Sequence, residues 1–469
     1  MRSTFLGLET ARKGLTVSQK GLDVTGQNIT NANTEGYTRQ RIDVVSVSSN
    51  IDARYRTTQA GMSGQGVLVS DVSQIRNQQL DGRYRSELAE QHYYSKTRTI
   101  LDDLEGVLNE MEGGIKPGLQ DLVSSLQDFS MNPNQAVNAN IVLSKAKSVI
   151  QMFNQYAEAL SGLRAQSISD LSVDVNDVNT TLSKIQGLND SISKAFLEGK
   201  QNAVNELMDQ RNLLVDHLAQ FGNIKVTAQS DGKIQILMHD QLILDGDYRD
   251  QLNMLKPTEP LVLEWQSTGK PISLGAGSLK ASIERIEGNN PFTQGIAYYQ
   301  DQLNQLATSF AQVMNQAFTN ADGQFKALIS GETASNVSIE NTWLKNPSFI
   351  LNNGNQSGSL DNRPILALIE KLEGKMVING EPSSMSEFVS KFIIALGQDR
   401  NFIHSRLQTS TSIVNDLAQQ RDSISAVSLD EEGANLLIYE KAFQANARVM
   451  NAMDEVLDTI INRMGLVGR

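Results

Sequence analysis

The chain has 469 residues, 39% of them hydrophobic, a formal net charge of −12 and no cysteine. Without cysteine there is no disulfide, thiolate metal site or thiol nucleophile, and the acidic balance argues against a nucleic-acid surface, which needs clustered Lys and Arg. The length suits roughly two or three domains. No apolar run approaches the about eighteen residues of a membrane span, and the N-terminus has neither the basic nor the apolar region of a cleavable leader. A soluble protein, or one exported without a cleaved signal peptide and without membrane insertion, is expected.

The first forty-odd residues organise the rest. A heptad repeats three times, at Gly7–Lys13, Gly14–Lys20 and Gly21–Gln27, and Leu8, Leu15, Leu22 and Ile29 keep the spacing. Phe5, Ala11, Ser18, Thr25 and Ala32 complete the pattern of a coiled-coil seam. The seam is thin, and each recurring glycine costs about 1 kcal/mol of helix propensity. Such a helix is expected to order only against a partner. Its pattern fades in the Asn-rich run from Asn28 to Tyr37, where Gly36 can take the left-handed conformation.

Val- and Gly-rich pieces follow from Ile42 to Val69. The run Gly61–Val67 lacks the strand–turn–helix context of a nucleotide loop and reads as a connector. Helix is predicted from Ser73 to Met111, stopping at Gly113-Gly114 and Pro117, then from Leu119 to Phe129, breaking at Asn132-Pro133-Asn134. Long helical patterns cover Ala136–Ala165 and Ser167–Phe221. The period then changes to two: Ile224, Val226 and Ala228 alternate, Asp231-Gly232 turns, and Ile234, Ile236 and Met238 alternate on the return. A second pair is predicted around Leu242–Leu244 with a turn at Asp245-Gly246, and Leu261–Trp265 closes the β-rich part. Helix resumes over Ser278–Ile286 and Phe292–Thr319. Residues 320–362 are loop-rich, with turns at Asn352–Asn355 and Gly358, and helices return at Pro364–Lys371 and Ser386–Ser425.

The last segment opens with a capping box, Ser428 as cap and Glu431 as reciprocal partner. Asp430, Glu431 and Glu432 suit the positive end of the helix dipole. A second heptad row runs through Leu436, Phe443, Met450, Leu457 and Met464, with Tyr439, Asn446, Met453 and Ile460 three beyond, and Gly465 as a stop. Residues 1–60 hold eight Lys or Arg against five Asp or Glu, and residues 425–469 four against seven. Opposite signs suit ends that pair, although salt screens such attraction. The predicted fold is mainly α: terminal heptad helices forming a coiled coil (1–60 with 425–469), a rod-like core of long helices (61–221 with 279–424) and a small β-rich insertion (222–278).

The run from Leu22 to Arg41 carries Asn28, Asn31, Asn33, Thr34, Gly36, Tyr37 and Arg39, and it closely resembles the N-terminal signature of bacterial flagellar axial proteins. The C-terminal run Leu429-Asp430-Glu431-Glu432, with Ala442–Val449 and Leu457–Met464, resembles the hook-associated branch of that family. Asn205–Leu214 and Ala281–Asn315 are similar to the interior of such proteins, while residues 320–385 find no counterpart. Two positions depart from the family pattern: Gly433, where a larger apolar residue is usual, and Ala426, where glycine is usual. The resemblance implies a secreted structural component of the bacterial flagellum that self-assembles as a homo-oligomeric ring between hook and filament. The implied partners are the hook protein, a second junction protein, the filament cap protein and an export chaperone binding the C-terminal segment. The subunit interface is then expected on Phe5, Leu8, Leu15, Leu22, Ile29, Leu436, Tyr439, Phe443, Met450, Met453, Leu457, Ile460 and Met464. Terminal helices mobile in the monomer would bury these seams on assembly, each large apolar side chain contributing about 1.5–3 kcal/mol.

Nothing in the sequence calls for catalysis or a cofactor. His92, His217, His239 and His404 fall on separate elements without metal-ligand spacing. Asp209 and Arg211 are two apart on one predicted helix, so they cannot face each other and read as contacts to neighbouring helices. No Gly-x-Ser-x-Gly elbow occurs. The alternatives are a hook or distal-rod protein, which would share the N-terminal signature, a peptidoglycan hydrolase carrying axial termini, and a cytosolic coiled-coil adaptor.

Overall fold

A computed structural model describes residues 4–47, 66–133, 135–198, 201–254, 261–288, 293–318, 325–351 and 362–463. Gly61–Gln65, Asn134, the turns at 352–355 and 358, Met464 and Gly465 lie outside the described residues.

The chain begins with α1 (Thr4–Thr30) and an antiparallel hairpin of β1 (Gln40–Ser46) and β2 (Val67–Gln74). Two very long helices follow, α2 (Gln78–Met131) and α3 (Ala136–Leu197), of 54 and 62 residues. At 1.5 Å rise per residue they extend about 80 and about 90 Å, which makes the body rod-like. Next come α4 (Gln201–Ala219), then β3 (Ile224–Ala228), β4 (Ile234–Met238), β5 (Gln241–Asp245) and β6 (Tyr248–Arg249) in one four-stranded antiparallel meander, and a separate pair, β7 (Leu252–Met254) with β8 (Leu263–Trp265). The second half holds α5 (Ser278–Glu287), α6 (Ile296–Asn315), the pair β9 (Ile329–Ser330) and β10 (Ser338–Ile339), α7 (Asn341–Lys345) and α8 (Arg363–Glu373). The hairpin β11 (Met376–Ile378) and β12 (Glu381–Ser383) leads to α9 (Met385–Ser425), and α10 (Leu429–Asp458) ends in a short π-helical turn, Thr459–Arg463.

Two helix boundaries differ from expectation. The sequence predicts a stop at Gly113-Gly114 and Pro117, yet α2 runs through all three. Pro117 removes one backbone donor, but Met111, Ile115, Leu119 and Leu122 on the same stripe are buried against the neighbouring helices. Tertiary burial therefore outweighs the local penalty. Tyr156 on α3 also packs on Gly114 and donates to the Glu110 carbonyl at 2.8 Å, a contact that a larger residue at 114 would obstruct. The predicted break near Gln166 is likewise absent, and the long pattern divides instead after Leu197. The other breaks fall where expected. Met131 closes α2 before Pro133, and Gly232 takes a positive φ of 83° in the turn between β3 and β4.

The buried apolar residues form two large clusters along the rod. One joins α2 from Ile100 onward, the first half of α3, α6, α8 and the start of α9. Trp343 and Ile350 belong to it, so the described stretch 325–351 is packed onto the helices and contributes to their core. The other cluster joins the second half of α3 (Leu171, Val178, Ile185) to α4, the β-rich part and α5. The β strands thus have no core of their own. They share one with the helices that carry them.

Candidate functional site

The two ends of the chain meet. α1 and α10 run antiparallel, and their contact is set by the heptad glycines. A Cβ built on Gly7 would lie 2.9 Å from Met453 Cε, one on Gly14 2.5 Å from Asn446 Oδ1, and one on Gly21 2.5 Å from Tyr439 Cδ1. Two steps of seven along α1 therefore match two steps of seven backwards along α10. The sequence reads these glycines as weak points, whereas here they are where the partner helix comes closest. Beside them Ala11, Ser18 and Thr25 are buried, and the Ser18 hydroxyl is turned back onto the Gly14 carbonyl at 2.9 Å.

The expected seam residues divide in consequence. Leu8, Leu15, Leu22 and Ile29 lie half-buried on the flank of the glycine row, and Phe5 is exposed. On α10, Tyr439 and Met453 face the glycines and Leu457 is buried, but Leu436, Phe443, Met450 and Ile460 stay exposed on its surface. Within one chain, then, the leucines of α1 are not its contact row: α1 meets Tyr439, Asn446 and Met453 of α10 through small residues, because only they allow so close an approach. A further row, Ile438, Ala442, Ala445, Val449, Ala452 and Val456, has spacing of four and three residues and no charge within it. Ile438 is 62%, Val449 45% and Val456 48% exposed. α10 thus carries two seams, and α1 uses one of them.

Where α1 ends, the residues of the two family signatures come together. Asn28, 1% exposed, donates from Nδ2 to the Gln40 carbonyl at 2.8 Å and to Glu432 Oε2 at 3.2 Å. Its Oδ1 accepts from the Tyr37 hydroxyl at 2.8 Å and from the Gln40 N–H at 3.0 Å. Every polar atom of that side chain is engaged, which suits a buried amide. Arg39 reaches Glu432 at 2.8 Å and Glu431 at 2.5 Å, and its N–H donates to the Ser425 carbonyl at 2.9 Å. Burial works against the charge on Arg39, but its bonds to the two glutamates outweigh that and hold its pKa above the ordinary value. Burial and the nearby charges of Asp209 and Glu432 push the Tyr37 phenol strongly upward.

The turn between α1 and β1 has its own logic. Asn31 donates to the Gln27 carbonyl, Thr34 to Asn31 Oδ1, and Gly36 takes a φ of 76° with Leu213 of α4 directly against it. Asn33 is exposed. At the start of α10 only half of the expected capping box forms. The Ser428 hydroxyl accepts from the Glu431 N–H, but the Glu431 carboxylate goes to Arg39. The full box occurs at α9, between Ser384 and Glu387. Leu429 and Asp430 stay exposed.

The terminal unit is attached to the rod through α4. Asp209 accepts from the Thr38 N–H at 3.2 Å and from Gln74 Nε2 at 2.8 Å, and Asn205 donates to Gln40 Oε1 and the Val72 carbonyl. Burial raises the Asp209 carboxyl to about 6, against the opposing pull of those bonds and of Arg76. Arg211 turns the other way, to Asn189 of α3 and the Gly232 carbonyl. Of the two, Arg211 thus reaches a neighbouring helix as expected, while Asp209 holds the hairpin. Sequence reasoning could not see that role, since Thr38, Gln74 and Asp209 are far apart in the chain. Among the described residues no group of three or more His, Asp or Glu side chains is placed to hold a metal ion, and no helix is long and apolar enough to cross a membrane.

Residues 101–324 match the family described as the flagellar hook-associated protein FlgK helical domain. Residues 8–38 match the flagella basal body rod protein family and residues 418–464 the C-terminal family of the flagellar basal body rod FlgEFG proteins. The chain is 30% identical to flagellar hook-associated protein 1 of Bacillus subtilis (strain 168), with all of both chains covered. It is 21% identical to flagellar hook-associated protein 1 of Escherichia coli (strain K12), covering 97% of this chain and 99% of that one. In fold it is similar to the flagellar hook junction protein FlgK from Burkholderia pseudomallei, with a TM-score of 0.62 and 14% identity over 73% of this chain and 100% of the other.

Proposed function

The chain belongs to the flagellar hook-associated protein 1 family, and from that membership we propose that it is a structural joint of the bacterial flagellum, seated between hook and filament. The observation that carries this reading is the second, exposed apolar seam of α10, beside an α1–α10 pair already closed by its glycine row. A helical pair with one seam used and one open is suited to adding identical neighbours around an axis, so that a homo-oligomeric ring buries Ile438, Val449 and Val456 together with Phe5, Leu436, Phe443, Met450 and Ile460. Work of this kind needs no catalytic group.

The proposed parts are a terminal axial unit (1–60 with 425–469), a helical body (61–221 with 279–424) and a β-rich outer piece (222–278) carried on the ends of α3, α4 and α5. The proposed partners are the hook protein below, a second junction protein and the filament cap above, and an export chaperone on the C-terminal segment. Export proceeds without removal of a leader. Matches of both termini to rod-protein families reflect the axial ends these proteins share, while the interior match to the hook-associated helical domain favours the junction over a hook or distal-rod role.

The test is a strain lacking this protein. Hooks should be completed, filaments should be absent, and flagellin should accumulate in the medium until the intact chain is restored. Normal filaments in the deletion strain would overturn the reading. Mass spectrometry of the chain from outside the cell should find its own N-terminal residues in place.

A further inference from the structure

A cleft of about 570 Å³ lies between β2, the first turns of α2, α4 and the β3–β4 hairpin. Its ionisable lining is Asp71, Arg76, Asp81, Arg85, Arg211 and Lys225, so cations outnumber acids there by four to two in a chain whose net charge is −12. Of these acids, Asp71 accepts from the Val72 N–H at 2.7 Å and Asp81 is held in ion pairs. Asp81 is paired with Arg76 at 3.0 Å and with Arg421 at 3.6 Å, and Asp216, just behind, takes Arg85 at 2.6 Å and Arg421 at 2.8 Å.

Arg211 is left over. It is 5% exposed, its Nη1 donates only to neutral acceptors (Asn189 Oδ1 at 2.8 Å and the Gly232 carbonyl at 2.7 Å), and its Nε is buried without a partner. Arg85, 6% exposed, likewise has Nη2 buried without a partner. Burial first, and then the charge of Arg85, lowers the Arg211 pKa to about 10. A buried guanidinium whose hydrogen bonds go to neutral acceptors, with the charge of Asp231 offsetting its burial only in part, is costly, and fixed donors without acceptors are the complement of an oxyanion. Lys225 sits exposed on the strand at the rim.

We propose that this cleft binds an oxyanion, a carboxylate or a phosphate, held by Arg211 and Arg85 and drawn in by Lys225. It adjoins the joint at which Gln74 and Thr38 meet Asp209, and Arg76 bridges the two places through its 3.3 Å bond to Thr38 Oγ1. Occupancy would therefore brace the terminal unit against the rod.

Thermal unfolding of the full chain, titrated with inorganic phosphate and separately with glutarate against chloride at matched ionic strength, tests this. The melting temperature of the unaltered chain should rise saturably with at least one of the two. Response to phosphate alone identifies a tetrahedral anion, and response to glutarate alone a carboxylate such as an acidic side chain supplies. Arg211→Gln should abolish the saturable part, and Lys225→Glu, on an exposed position, should weaken half-saturation by roughly tenfold. If Arg211→Gln fails to fold, Lys225→Glu decides alone. No rise beyond that of chloride, or equal rises in the unaltered chain and the variants (the general salting effect of these ions), would overturn the proposal.

Discussion

Gly21 of α1 lies so close to Tyr439 of α10 that an added methyl would stand 2.5 Å from the ring and 2.7 Å from Cγ, its point of attachment. Gly7, two heptads earlier, meets only the far end of Met453. The same residue type in the same repeat thus faces a stiff neighbour at one place and a yielding one at the other. Gly21→Ala should force the helices apart and cost about 1–3 kcal/mol. Gly7→Ala should be neutral or gain up to about 1 kcal/mol from helix propensity, because the thioether can swing aside. Amide exchange along α10 separates the two. Equal effects at both positions would mean that the glycine row does not set the approach.

The pair Arg39–Glu432 invites a second experiment. Glu432 is 2% exposed, while Glu431, the other partner of Arg39, has a side chain that is 62% exposed. Arg39→Met leaves Glu432 buried with only Asn28 and Asn435 as neutral donors. That should destabilise the start of α10 by about 3 kcal/mol, the usual scale for orphaning a buried charge. Adding Glu432→Met should return much of the loss, whereas Glu431→Gln alone should cost under about 1 kcal/mol. A double-mutant cycle by chemical denaturation checks all three.

Much of this was legible in the sequence, and the failures have a common cause. Periodicity gave the helical termini, the β-rich insertion and the breaks at Pro133 and at Asp231-Gly232, because each depends on residues near one another in the chain. The stop predicted at Gly113–Pro117 depends on local propensity too, but burial of Met111 and Ile115 in another element's company overrides it. The turn between β4 and β5 gave no glycine signal, since His239 and Asp240 themselves take positive φ of 46° and 65°. The signature residues stand out in the sequence, but nothing there joins them. That Asn28 bonds Glu432 across 404 positions is information about the fold, which no local window contains. The leucines are the conspicuous column of the α1 heptad, although the glycine column with the same period makes the contact.

Acidity should tighten the joint between the terminal unit and the rod. The Asp209 carboxyl is raised by burial from an ordinary 3.8 to about 6. The folded chain therefore holds this proton more firmly than the unfolded one. The resulting stabilisation is fully present below about pH 4 and is lost as pH rises through 6. Between pH 7 and pH 5 the gain is about 1 kcal/mol. Asp209→Asn should remove it, so the unaltered chain and the variant should differ in how their unfolding free energies change over that interval. Parallel pH profiles would exclude Asp209 as the source.

The open seam of α10 gives the test that separates assembly from folding. Val449 is 45% exposed and sits mid-row between Ala445 and Val456, away from the glycine contact with α1. Val449→Asp in the free chain places a carboxylate in water, and such surface changes usually stay within about 0.5 kcal/mol. In a ring whose neighbours cover this row the same carboxylate would be buried unpaired, at a cost of several kcal/mol, or would have to take up a proton. The purified variant should melt with the unaltered chain, while cells carrying it should build hooks, bear few or no filaments and release flagellin. Gly21→Ala provides the contrast, since it acts inside the chain and should lower the melting temperature before any neighbour arrives. Normal filaments on Val449→Asp cells would mean that this row stays in solvent after assembly, and the interface would have to lie on another face of the terminal pair.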